Sequence, residues 1–557
     1  MNSLDFMGIP VGENQLITET DLPPRLAQEI KQHNDKAIQD GEEAIKHPVN
    51  AFLLIKGMVE DWNKVVKIMR FNLADDIIRN MTRQRNINYP TEEDLSGAVT
   101  GLLRLQDTYQ LDTKDIADGK ILNSQIQAVA MTAEDCFEIG RTAYHTEDYY
   151  HAIMWMQEAR ERVEKETVPT ANLEVILEHL AFSLYKQDNL KRALLVTDEL
   201  YRSKVLTKLD EKTNKKLQTF FITVDPERDS TEKLKEFHEI FHSAYNTDPN
   251  NIRAKDNIRK YENLLKSKGV QHIDMRRDIP PINNSRNEGY MDEGIMLLYE
   301  ALCRQQNIKV QSQLYCYYKM DRPYLRLAPF KVEIVRQNPL AALFYDIMSD
   351  EEARIIQMIA LPKLKRSITF NRLTGKSEPV AFRVAKSAVL KPTEHEIIKR
   401  FDERLELATN LEIETSDNIA IHNYGIGGHY EPHLDCALIS AISIAMTEPE
   451  MGGRTIFMSN LKMSLPCIKN AALFWYSLMR NGEVDMRSRH AACPVLTGVK
   501  WTANKWFHER GQEWRRSCGL NEFDEERYVG DLGAPEPKYH LNIRSETKKP
   551  KKMNRKH

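Results

Sequence analysis

Several features that would assign a chain to a simple class are scarce or missing in this one. No run of roughly 18 apolar residues occurs, which is the length a membrane-spanning helix needs, so we expect no membrane span. The formal net charge is only -3, which gives no general reason to expect binding to nucleic acid. Seven cysteines in 557 residues are too few for a disulfide-rich scaffold. The remaining class is an ordinary globular chain, with 41% hydrophobic and 29% charged residues.

The amino-terminal end lacks a further feature. Residues 1–22 contain no apolar stretch preceded by basic residues, so no secretory signal peptide is visible.

The chain is too long for a single hydrophobic core, and its length predicts roughly three or four domains.

The most informative pattern is His433-Leu434-Asp435, followed by His490 and Lys500. Residues two apart in a strand point to the same side, so the His433 imidazole and the Asp435 carboxylate can bind one metal ion. A second imidazole from His490 completes a set of two histidines and one carboxylate, which is typical of non-heme Fe(II) oxygenases. Lys500 follows His490 by ten residues, which is far enough along a strand for its ammonium to meet the remote carboxylate of 2-oxoglutarate.

The surroundings of these residues strengthen the prediction. Residues 423–435 read NYGIGGHYEPHLD and residues 489–495 read RHAACPV. Together they resemble the catalytic domain of the collagen prolyl 4-hydroxylase alpha subunits. Residues 47–52 (HPVNAF), 102–109 (LLRLQDTY) and 132–138 (TAEDCFE) are similar to the amino-terminal and peptide-binding regions of that family, in the same order. The resemblance covers nearly the whole chain up to about residue 525.

The resemblance implies a fold and an activity. The fold class is multidomain α+β, with a helical coiled-coil dimerisation region, a tetratricopeptide-like peptide-binding domain and a carboxy-terminal double-stranded β-helix (jelly roll) oxygenase domain. The implied activity is that of a procollagen-proline 4-dioxygenase. Such an enzyme hydroxylates peptidyl proline to 4-hydroxyproline with Fe(II), O2 and 2-oxoglutarate, and it releases succinate and CO2. L-ascorbate is the implied reductant.

The family motifs also assign roles to single residues. The metal ligands are His433, Asp435 and His490, and the 2-oxoglutarate contacts are Lys500, Tyr424 and His508. The catalytic set comprises His433, Asp435, His490, Lys500 and His508. The resemblance further implies disulfides Cys303–Cys316 and Cys493–Cys518, whereas buried free thiols remain the alternative for these cysteines. Asn80 and Asn283 begin N-glycosylation motifs.

Residues 1–130 are predicted to form a helical dimerisation region. Apolar residues recur in steps of three and four, as in the interface of a coiled coil; they are Phe52, Ile55, Val59, Trp62, Val66 and Met69. The same spacing also fits an amphipathic helix that packs inside its own domain, and this alternative stays open.

Residues 131–265 are predicted to form a tetratricopeptide-like domain that binds proline-rich peptides. Helical segments come in pairs joined by short turns, and stacked pairs present a concave groove. Tyrosine rings suit the proline rings of an extended peptide. The expected contacts are Tyr144, Tyr150, Tyr185, Arg253 and Asn257. An aromatic residue on a helix is more often part of a core, and only the resemblance favours the groove.

The remaining boundaries follow from composition. A linker region is expected over residues 266–327, the Fe(II)/2-oxoglutarate dioxygenase domain over 328–525, and a polar, basic tail over 526–557. A basic tail can bind nucleic acid, but it is more often a solvated end, so we expect no nucleic-acid partner. The short strands within 328–525 favour the jelly roll.

Two departures from the family put activity in question. In the family, a loop of more than a dozen residues follows the aspartate ligand, whereas here Asp435 is followed almost at once by the next predicted strand. In addition, Ala445 stands where the family has a tyrosine. The alternative is therefore a catalytically impaired subunit of the same assembly that still binds proline-rich peptides.

The resemblance implies partners as well. The expected substrate is a proline-rich, collagen-like peptide. Protein disulfide isomerase is the implied beta subunit, and two alpha subunits would pair in an α2β2 tetramer. The implied location is the lumen of the endoplasmic reticulum.

Overall fold

The computed structural model of the protein describes residues 41, 45–71, 90–126, 128–206, 252–286, 293–305, 315–371, 376–436, 438–459, 462–520 and 529. The chain divides into two compact units, residues 1–300 and residues 301–557, called here the helical unit and the β unit. Within the described ranges, no helix has the length and apolar character needed to cross a bilayer.

The helical unit consists of helices joined by short connections. They are α1 (Pro48–Phe71), α2 (Glu92–Tyr109), α3 (Thr113–Ala117), α4 (Ala133–His145), α5 (Tyr149–Val163), α6 (Leu173–Lys186), α7 (Leu190–Leu206) and α8 (Ile252–Ser267). A last helix, α9 (Glu293–Cys303), begins in this unit and ends just beyond it. Thr132 and Asp135 form a capping box at the start of α4, which satisfies free N–H groups of its first turn. The pairs α4–α5 and α6–α7 match the predicted helix-turn-helix units.

The predicted coiled-coil seam lies on α1. Phe52 and Val59 are buried within the helical unit, and Ile55 is half-buried. Lys56, on the same helix, donates a hydrogen bond of 2.6 Å to Asp135 of α4. The side chains of Trp62, Val66 and Met69 lie outside the described residues. The described part of the seam therefore packs against its own unit, as in the alternative stated above.

The β unit contains eighteen strands among its described residues. They are β1 (Tyr315–Lys319), β2 (Phe330–Gln337), β3 (Leu340–Tyr345), β4 (Lys365–Arg366), β5 (Ile368–Asn371), β6 (Lys376–Pro379), β7 (Arg383–Val384), β8 (Lys386–Leu390), β9 (Ile419–Tyr424), β10 (His429–His433), β11 (Ser440–Ala445), β12 (Met451–Gly452), β13 (Thr455–Phe457), β14 (Met463–Leu465), β15 (Ala472–Tyr476), β16 (His490–Ala492), β17 (Val495–Thr497) and β18 (Lys500–Phe507). Two longer helices, α10 (Asp350–Ala360) and α11 (Glu396–Thr409), accompany them.

The strands form a main sheet in the order β1-β2-β3-β15-β11-β18-β9-β8-β4 and a second sheet in the order β14-β13-β16-β10-β7, and neighbouring strands in both sheets run antiparallel. Strand β1 belongs to the main sheet, so the sheet begins ahead of the predicted domain start at residue 328. One hydrophobic core joins the main sheet to α10 and α11 and includes Phe344, Phe401, Phe474 and Phe507. A smaller core lies between the two sheets and includes Phe457 and Trp475. The side chains that line the functional pocket come from these facing surfaces.

The disulfide differs from both predicted pairings. Cys303 at the end of α9 is bonded to Cys493, which follows β16, and their Cα atoms are 5.7 Å apart. Cys316 and Cys518 are exposed free thiols. The predicted bonds Cys303–Cys316 and Cys493–Cys518 are therefore wrong for this structure. Both bonded cysteines were expected to form disulfides, but their choice of partner depends on where the end of α9 meets the strand, which spacing along the chain does not show.

Candidate functional site

The three predicted metal ligands lie together. Strands β10 and β16 pair antiparallel, and His433 stands directly opposite His490. Asp435 follows His433 by two residues, and its Oδ2 lies 3.8 Å from Nε2 of His490. One ligand atom from each of the three residues lies within 4.8 Å of the other two. A ferrous ion placed among these atoms would have three protein ligands and free positions for other molecules.

The backbone orients both imidazoles. Nδ1 of His433 lies 2.8 Å from the carbonyl oxygen of Glu431, and Nδ1 of His490 lies 3.0 Å from the carbonyl oxygen of Ser488. A carbonyl can only accept, so each Nδ1 carries the proton and each Nε2 keeps a lone pair for metal. Burial, and then the neighbouring His490, hold the pKa of His433 well below its usual value. A neutral imidazole is the form that binds a metal ion, so the donor set fits Fe(II).

Aromatic side chains pack around the ligands. The ring of Tyr430 is stacked on His433 with centroids 3.7 Å apart, and the guanidinium of Arg383 lies 4.8 Å from the centre of the Tyr430 ring. On the other side, Trp475 contacts His490 edge to face at 4.8 Å. These contacts limit the rotation of both imidazoles. Sequence reasoning missed all three residues; only Tyr430 carried a signal, because it stands inside the motif at 423–435.

A pocket of about 500 Å³, including its open mouth, begins at the ligands. Its lining comes from both sheets and comprises Arg383, Tyr424, Tyr430, His433, Asp435, Ser443, Thr455, Trp475, His490, Ala491, Ala492, Lys500, Thr502, Asn504 and Trp506. The mixture of aromatic walls with a few polar groups is typical of a small-molecule site.

Lys500 supplies the cation of this pocket. Its side chain is buried, and Nζ donates a hydrogen bond of 2.7 Å to the carbonyl oxygen of Gly453. Burial lowers the pKa of Lys500. Among the described residues Lys500 forms no salt bridge, and a buried ammonium without a carboxylate favours an anionic ligand. Gly453 has a φ of +65°, and a Cβ there would lie only 2.9 Å from Cγ of Pro449, so this position favours glycine.

Tyr424 also lines the pocket, as predicted. It stands directly opposite Lys500 on the neighbouring strand β9, and Nζ of Lys500 lies 5.5 Å from the centre of its ring. Burial raises the pKa of Tyr424 to about 12, so its hydroxyl stays protonated at neutral pH. The pair can therefore present one cation and one hydroxyl to the same ligand group.

The inner face of β18 contributes more than the sequence reasoning assigned. The side chains at alternate positions, Lys500, Thr502, Asn504 and Trp506, all line the pocket. The alternation of a strand was the signal that could have identified the last three, starting from Lys500.

His508 does not reach the pocket, which corrects the prediction that it contacts the co-substrate. Strand β18 ends at Phe507, one residue earlier, and Nε2 of His508 lies 3.0 Å from Oδ1 of Asp417 at a half-exposed position. The offset from Lys500 is correct for the inner face, but the strand ends before the side chain can face inward.

The connection between β10 and β11 is short, as the sequence indicated. It spans residues 434–439, of which residue 437 is outside the described part. The N–H of Ile439 is already bonded to the carbonyl oxygen of Phe507 in β18, at 2.8 Å. Ala445, where the resemblance predicts a tyrosine, is buried at the end of β11 opposite Thr502. Its methyl group offers no hydrogen bond to a ligand.

The helical unit contains a continuous row of aromatic side chains. Tyr144 of α4 contacts His179 and Phe182 of α6, with ring centroids 4.6 and 5.5 Å apart. The row continues from Phe182 to Tyr185 at 5.9 Å and from Tyr185 to Tyr261 of α8 at 5.1 Å. These rings are half-buried, except Tyr261, which is buried. His179 and Tyr261 were missed, although Tyr261 lies one helical turn after the predicted residue Asn257.

The other predicted peptide contacts are Tyr150, Arg253 and Asn257. Tyr150 is half-buried, and its carbonyl oxygen accepts from the Asn284 side chain. Arg253 is exposed and pairs with Glu178 at 3.0 Å. Asn257 is half-buried on the same helix, one turn further on. Of the two predicted glycosylation sites, Asn283 is exposed and Asn80 lies outside the described residues.

Comparisons with known families agree with this geometry. The model of the prolyl 4-hydroxylase alpha-subunit N-terminal region matches residues 15–123, and that of the prolyl 4-hydroxylase peptide-substrate-binding domain matches residues 133–221. The 2OG-Fe(II) oxygenase superfamily model matches residues 419–508, which include all three metal ligands. The SCO1/SenC model also matches residues 199–247, most of which lie outside the described residues.

Relatives match along almost the whole length of the chain. Prolyl 4-hydroxylase subunit alpha-1 of Caenorhabditis elegans is 43% identical over 93% of this chain and 88% of its own length. Prolyl 4-hydroxylase subunit alpha-1 of Homo sapiens is 35% identical over 91% of this chain and 94% of its own length. A solved viral collagen prolyl hydroxylase from Paramecium bursaria Chlorella virus 1 is 21% identical, covers 30% of this chain and 94% of its own, and has a TM-score of 0.25. The two alpha-1 relatives show that the chain belongs to the prolyl 4-hydroxylase alpha subunit family.

Proposed function

We propose that this chain is the catalytic alpha subunit of a procollagen-proline 4-dioxygenase. It converts peptidyl proline to 4-hydroxyproline with Fe(II), O2 and 2-oxoglutarate, and succinate and CO2 are released. The observation that carries the proposal is the convergence of His433, Asp435 and His490 at the mouth of a pocket that holds a buried cation.

Each residue of the pocket has a defined task. His433, Asp435 and His490 would hold the ferrous ion, with both Nε2 atoms free because the backbone accepts from Nδ1. Bound iron supplies the activation of dioxygen at the expense of 2-oxoglutarate. Lys500 binds the distal carboxylate of 2-oxoglutarate by a charge-assisted hydrogen bond, and the Tyr424 hydroxyl donates to the same group. Tyr430 and Trp475 keep the imidazoles in place and exclude water.

Proline-rich, collagen-like peptides are the proposed substrates. The row Tyr144, Phe182 and Tyr185 offers rings on which prolines of an extended chain can stack. Phe182 stands where the resembling subunits carry a tyrosine, so it keeps the aromatic ring but lacks the hydroxyl. Arg253 and Asn257 supply polar groups one helical turn apart for the backbone of the peptide. Tyr150 is included as a further contact.

The assembly is proposed on the resemblance. Protein disulfide isomerase would be the beta subunit of an α2β2 tetramer, with alpha subunits paired through the coiled-coil region in residues 1–130. The domain limits 131–265, 266–327, 328–525 and 526–557 and a jelly-roll topology for the oxygenase domain belong to the same proposal, although β1, within 266–327, joins the sheet of the oxygenase domain. The location is the lumen of the endoplasmic reticulum, where Asn80 and Asn283 would be glycosylated and L-ascorbate would keep the iron reduced.

Succinate release tests the activity. The purified complex with its beta subunit is given Fe(II), ascorbate, 2-oxoglutarate and a (Pro-Pro-Gly) repeat peptide. We expect succinate in proportion to 4-hydroxyproline, and we expect succinate release to depend on the peptide. Absence of succinate at saturating iron and 2-oxoglutarate would remove the proposal.

Two observations favour the second candidate, a catalytically impaired subunit that binds proline-rich peptides. The connection of residues 434–439 leaves no long loop beside the metal ligands, and Ala445 gives no hydroxyl to the pocket. Tight binding of the peptide without consumption of 2-oxoglutarate would support this candidate. Measurable turnover in the same preparation would exclude it.

A further inference from the structure

A row of four residues crosses the main sheet on the pocket side. Directly opposite one another stand Ala445 of β11, Thr502 of β18, His422 of β9 and Ser387 of β8. Thr502 lines the pocket, and strand alternation places the other three on the same face. The row lies two residues along each strand from the pair formed by Lys500 and Tyr424, which is the next inward position. The row is therefore adjacent to the cation of the pocket.

His422 is a buried imidazole whose tautomer follows from its neighbours. Its Nδ1 lies 2.8 Å from the Ser387 hydroxyl oxygen and 3.5 Å from a guanidinium nitrogen of Arg383. A guanidinium can only donate, so Nδ1 accepts and the proton is on Nε2. Nε2 is buried and has no hydrogen-bond partner in the described part of the protein.

The charge state of His422 supports the same assignment. Burial, and then the positive charges of Arg383 and Lys500, lower the pKa of His422 to about 3. The ring is therefore neutral at physiological pH, with Nε2–H as its free donor. The two nitrogens of an imidazole point in widely different directions, so the contact of Nδ1 with β8 turns Nε2 away from that strand.

Thr502 presents a second donor without a partner. Its Oγ1 is buried and has no hydrogen-bond partner among the described residues. Directly opposite on β11 stands Ala445, whose methyl side chain can neither donate nor accept a hydrogen bond for this hydroxyl. Buried polar groups are normally paired, so two neighbouring donors without a partner among the described residues point to an acceptor from a bound ligand.

The adjacent cation identifies the chemistry of that acceptor. Lys500 has no salt bridge among the described residues. It lies two residues before Thr502 on β18, and its partner Tyr424 lies two residues after His422 on β9. We propose that Thr502 and His422 bind the distal carboxylate of 2-oxoglutarate together with Lys500, in the place where Ala445 has removed the family hydroxyl. The inference rests on the proposed function, because it assumes that 2-oxoglutarate is the ligand of this pocket.

The consequence is that the loss of the tyrosine at position 445 is compensated within the pocket. A carboxylate has two oxygens and about four lone-pair sites, so it can accept from Lys500, Tyr424, Thr502 and His422 together. Thr502 and His422 thus hold the end of the co-substrate that is remote from the iron.

Co-substrate binding to the intact complex tests the inference. 2-Oxoglutarate is titrated anaerobically into the iron-loaded complex, and the heat of binding is measured for the wild type, Thr502→Val and His422→Ala. The comparison ligand is 2-oxobutanoate, which can chelate iron in the same way but lacks the distal carboxylate. Thr497→Val is the matched control, since Thr497 is also a buried threonine with an unpaired hydroxyl among the described residues but does not line the pocket.

We expect Thr502→Val and His422→Ala each to weaken the binding of 2-oxoglutarate by roughly tenfold or more. Their affinity for 2-oxobutanoate should be unchanged, and Thr497→Val should bind 2-oxoglutarate as the wild type does. Thr502→Val has nearly the same shape as the wild type, so it tests the inference even where His422→Ala does not fold. Wild-type affinity in Thr502→Val and in a folded His422→Ala would overturn the inference. Equal weakening of both ligands would also overturn it, because it would indicate general damage to the pocket. A wild type that binds no 2-oxoglutarate would instead contradict the proposed function itself.

Discussion

The β unit and the helical unit build their binding surfaces in opposite ways. The metal site joins residues from strands that are far apart in the sequence, and its ligands are held by backbone carbonyls and buried rings. The aromatic row of the helical unit comes from helices in local pairs, and most of its rings are half-buried. The first design fixes atoms for chemistry, whereas the second presents a flat surface to an extended ligand. We therefore expect a substitution at one surface to leave binding at the other surface unchanged.

Loss of a metal ligand should have the largest effect. His433→Ala removes one of three ligands, so iron uptake and succinate release should both fall below detection. Affinity for a proline-rich peptide should stay unchanged, because the aromatic row lies in the other unit. Iron content and peptide binding are measured on the same preparation.

The control for this variant is His395→Ser. His395 accepts a hydrogen bond from the N–H of Ile397 at the start of α11, and serine keeps an acceptor there. Normal iron content is expected in the control. A parallel loss of peptide affinity in His433→Ala would show that the two surfaces are coupled.

Two buried lysines of β18 sharpen the contrast between binding and stability. Lys500 faces the pocket, whereas Nζ of Lys505 donates a hydrogen bond of 2.9 Å to Asp402 of α11. Lys500→Met should weaken 2-oxoglutarate by about 1.5–3 kcal/mol, or roughly ten- to a hundredfold, with little loss of stability. Lys505→Met should destabilise the fold by about 3–5 kcal/mol because it leaves Asp402 buried without a partner.

Anaerobic titration and denaturant unfolding of both lysine variants provide the measurement. We expect Lys500→Met to lose affinity for 2-oxoglutarate and to keep its stability, and Lys505→Met to lose stability and to keep its affinity. If both variants lose affinity equally, Lys500 is not the specific anchor of the co-substrate.

Loss of one ring from the aromatic row should have a smaller effect. Tyr185 contacts Phe182 and Tyr261, and Nζ of Lys260 lies 4.2 Å from its centre. Tyr185→Ala should weaken a proline-rich peptide by about 1 kcal/mol, because one stacking face is lost. Tyr185→Phe keeps the ring and should bind nearly as the wild type does. Calorimetric titration with the peptide distinguishes the two, and iron content should be normal in both.

A pH dependence of stability is expected in the helical unit. Nδ1 of His151 lies 2.6 Å from Asp148, and its Nε2 lies 3.1 Å from Asp107. Burial by itself would lower the pKa of His151, but the two carboxylates raise it to about 9. The folded state thus binds this proton more tightly than the unfolded state, whose histidine has its ordinary pKa of about 6.5.

The stabilisation from His151 is therefore fully present below about pH 6.5 and is lost as the pH rises through about 9. Thermal unfolding of the helical unit should move to lower temperature over this range. In His151→Gln the same transition should change little with pH. A wild-type transition that is flat between these values would contradict the assignment.

The short-range patterns of the sequence predicted the paired helices of the helical unit and two of the three metal ligands. The pairs α4–α5 and α6–α7 follow from apolar spacing and capping residues, and His433 and Asp435 follow from strand alternation. His490 required the resemblance, because its approach to His433 depends on the pairing of β10 with β16.

What the sequence could not supply is tertiary placement. The bond between Cys303 and Cys493 depends on where the end of α9 lies, and the motif offset of His508 does not reveal that β18 stops at Phe507. Arg383 enters the pocket from a two-residue strand that has no recognisable pattern. These features arise from the path of the chain in space, which local periodicity does not encode.

The backbone hydrogen bonds to Nδ1 of His433 and His490 have an evolutionary consequence. In many metalloproteins the outer contact of a ligating histidine is a carboxylate side chain, which mutation can remove. Here both acceptors are main-chain oxygens, at Glu431 and Ser488, which every amino acid provides. Substitutions can therefore accumulate in the surrounding walls, as at Ala445, without releasing the imidazoles from their orientation. A lineage can retune its co-substrate affinity while its metal chemistry is inherited intact.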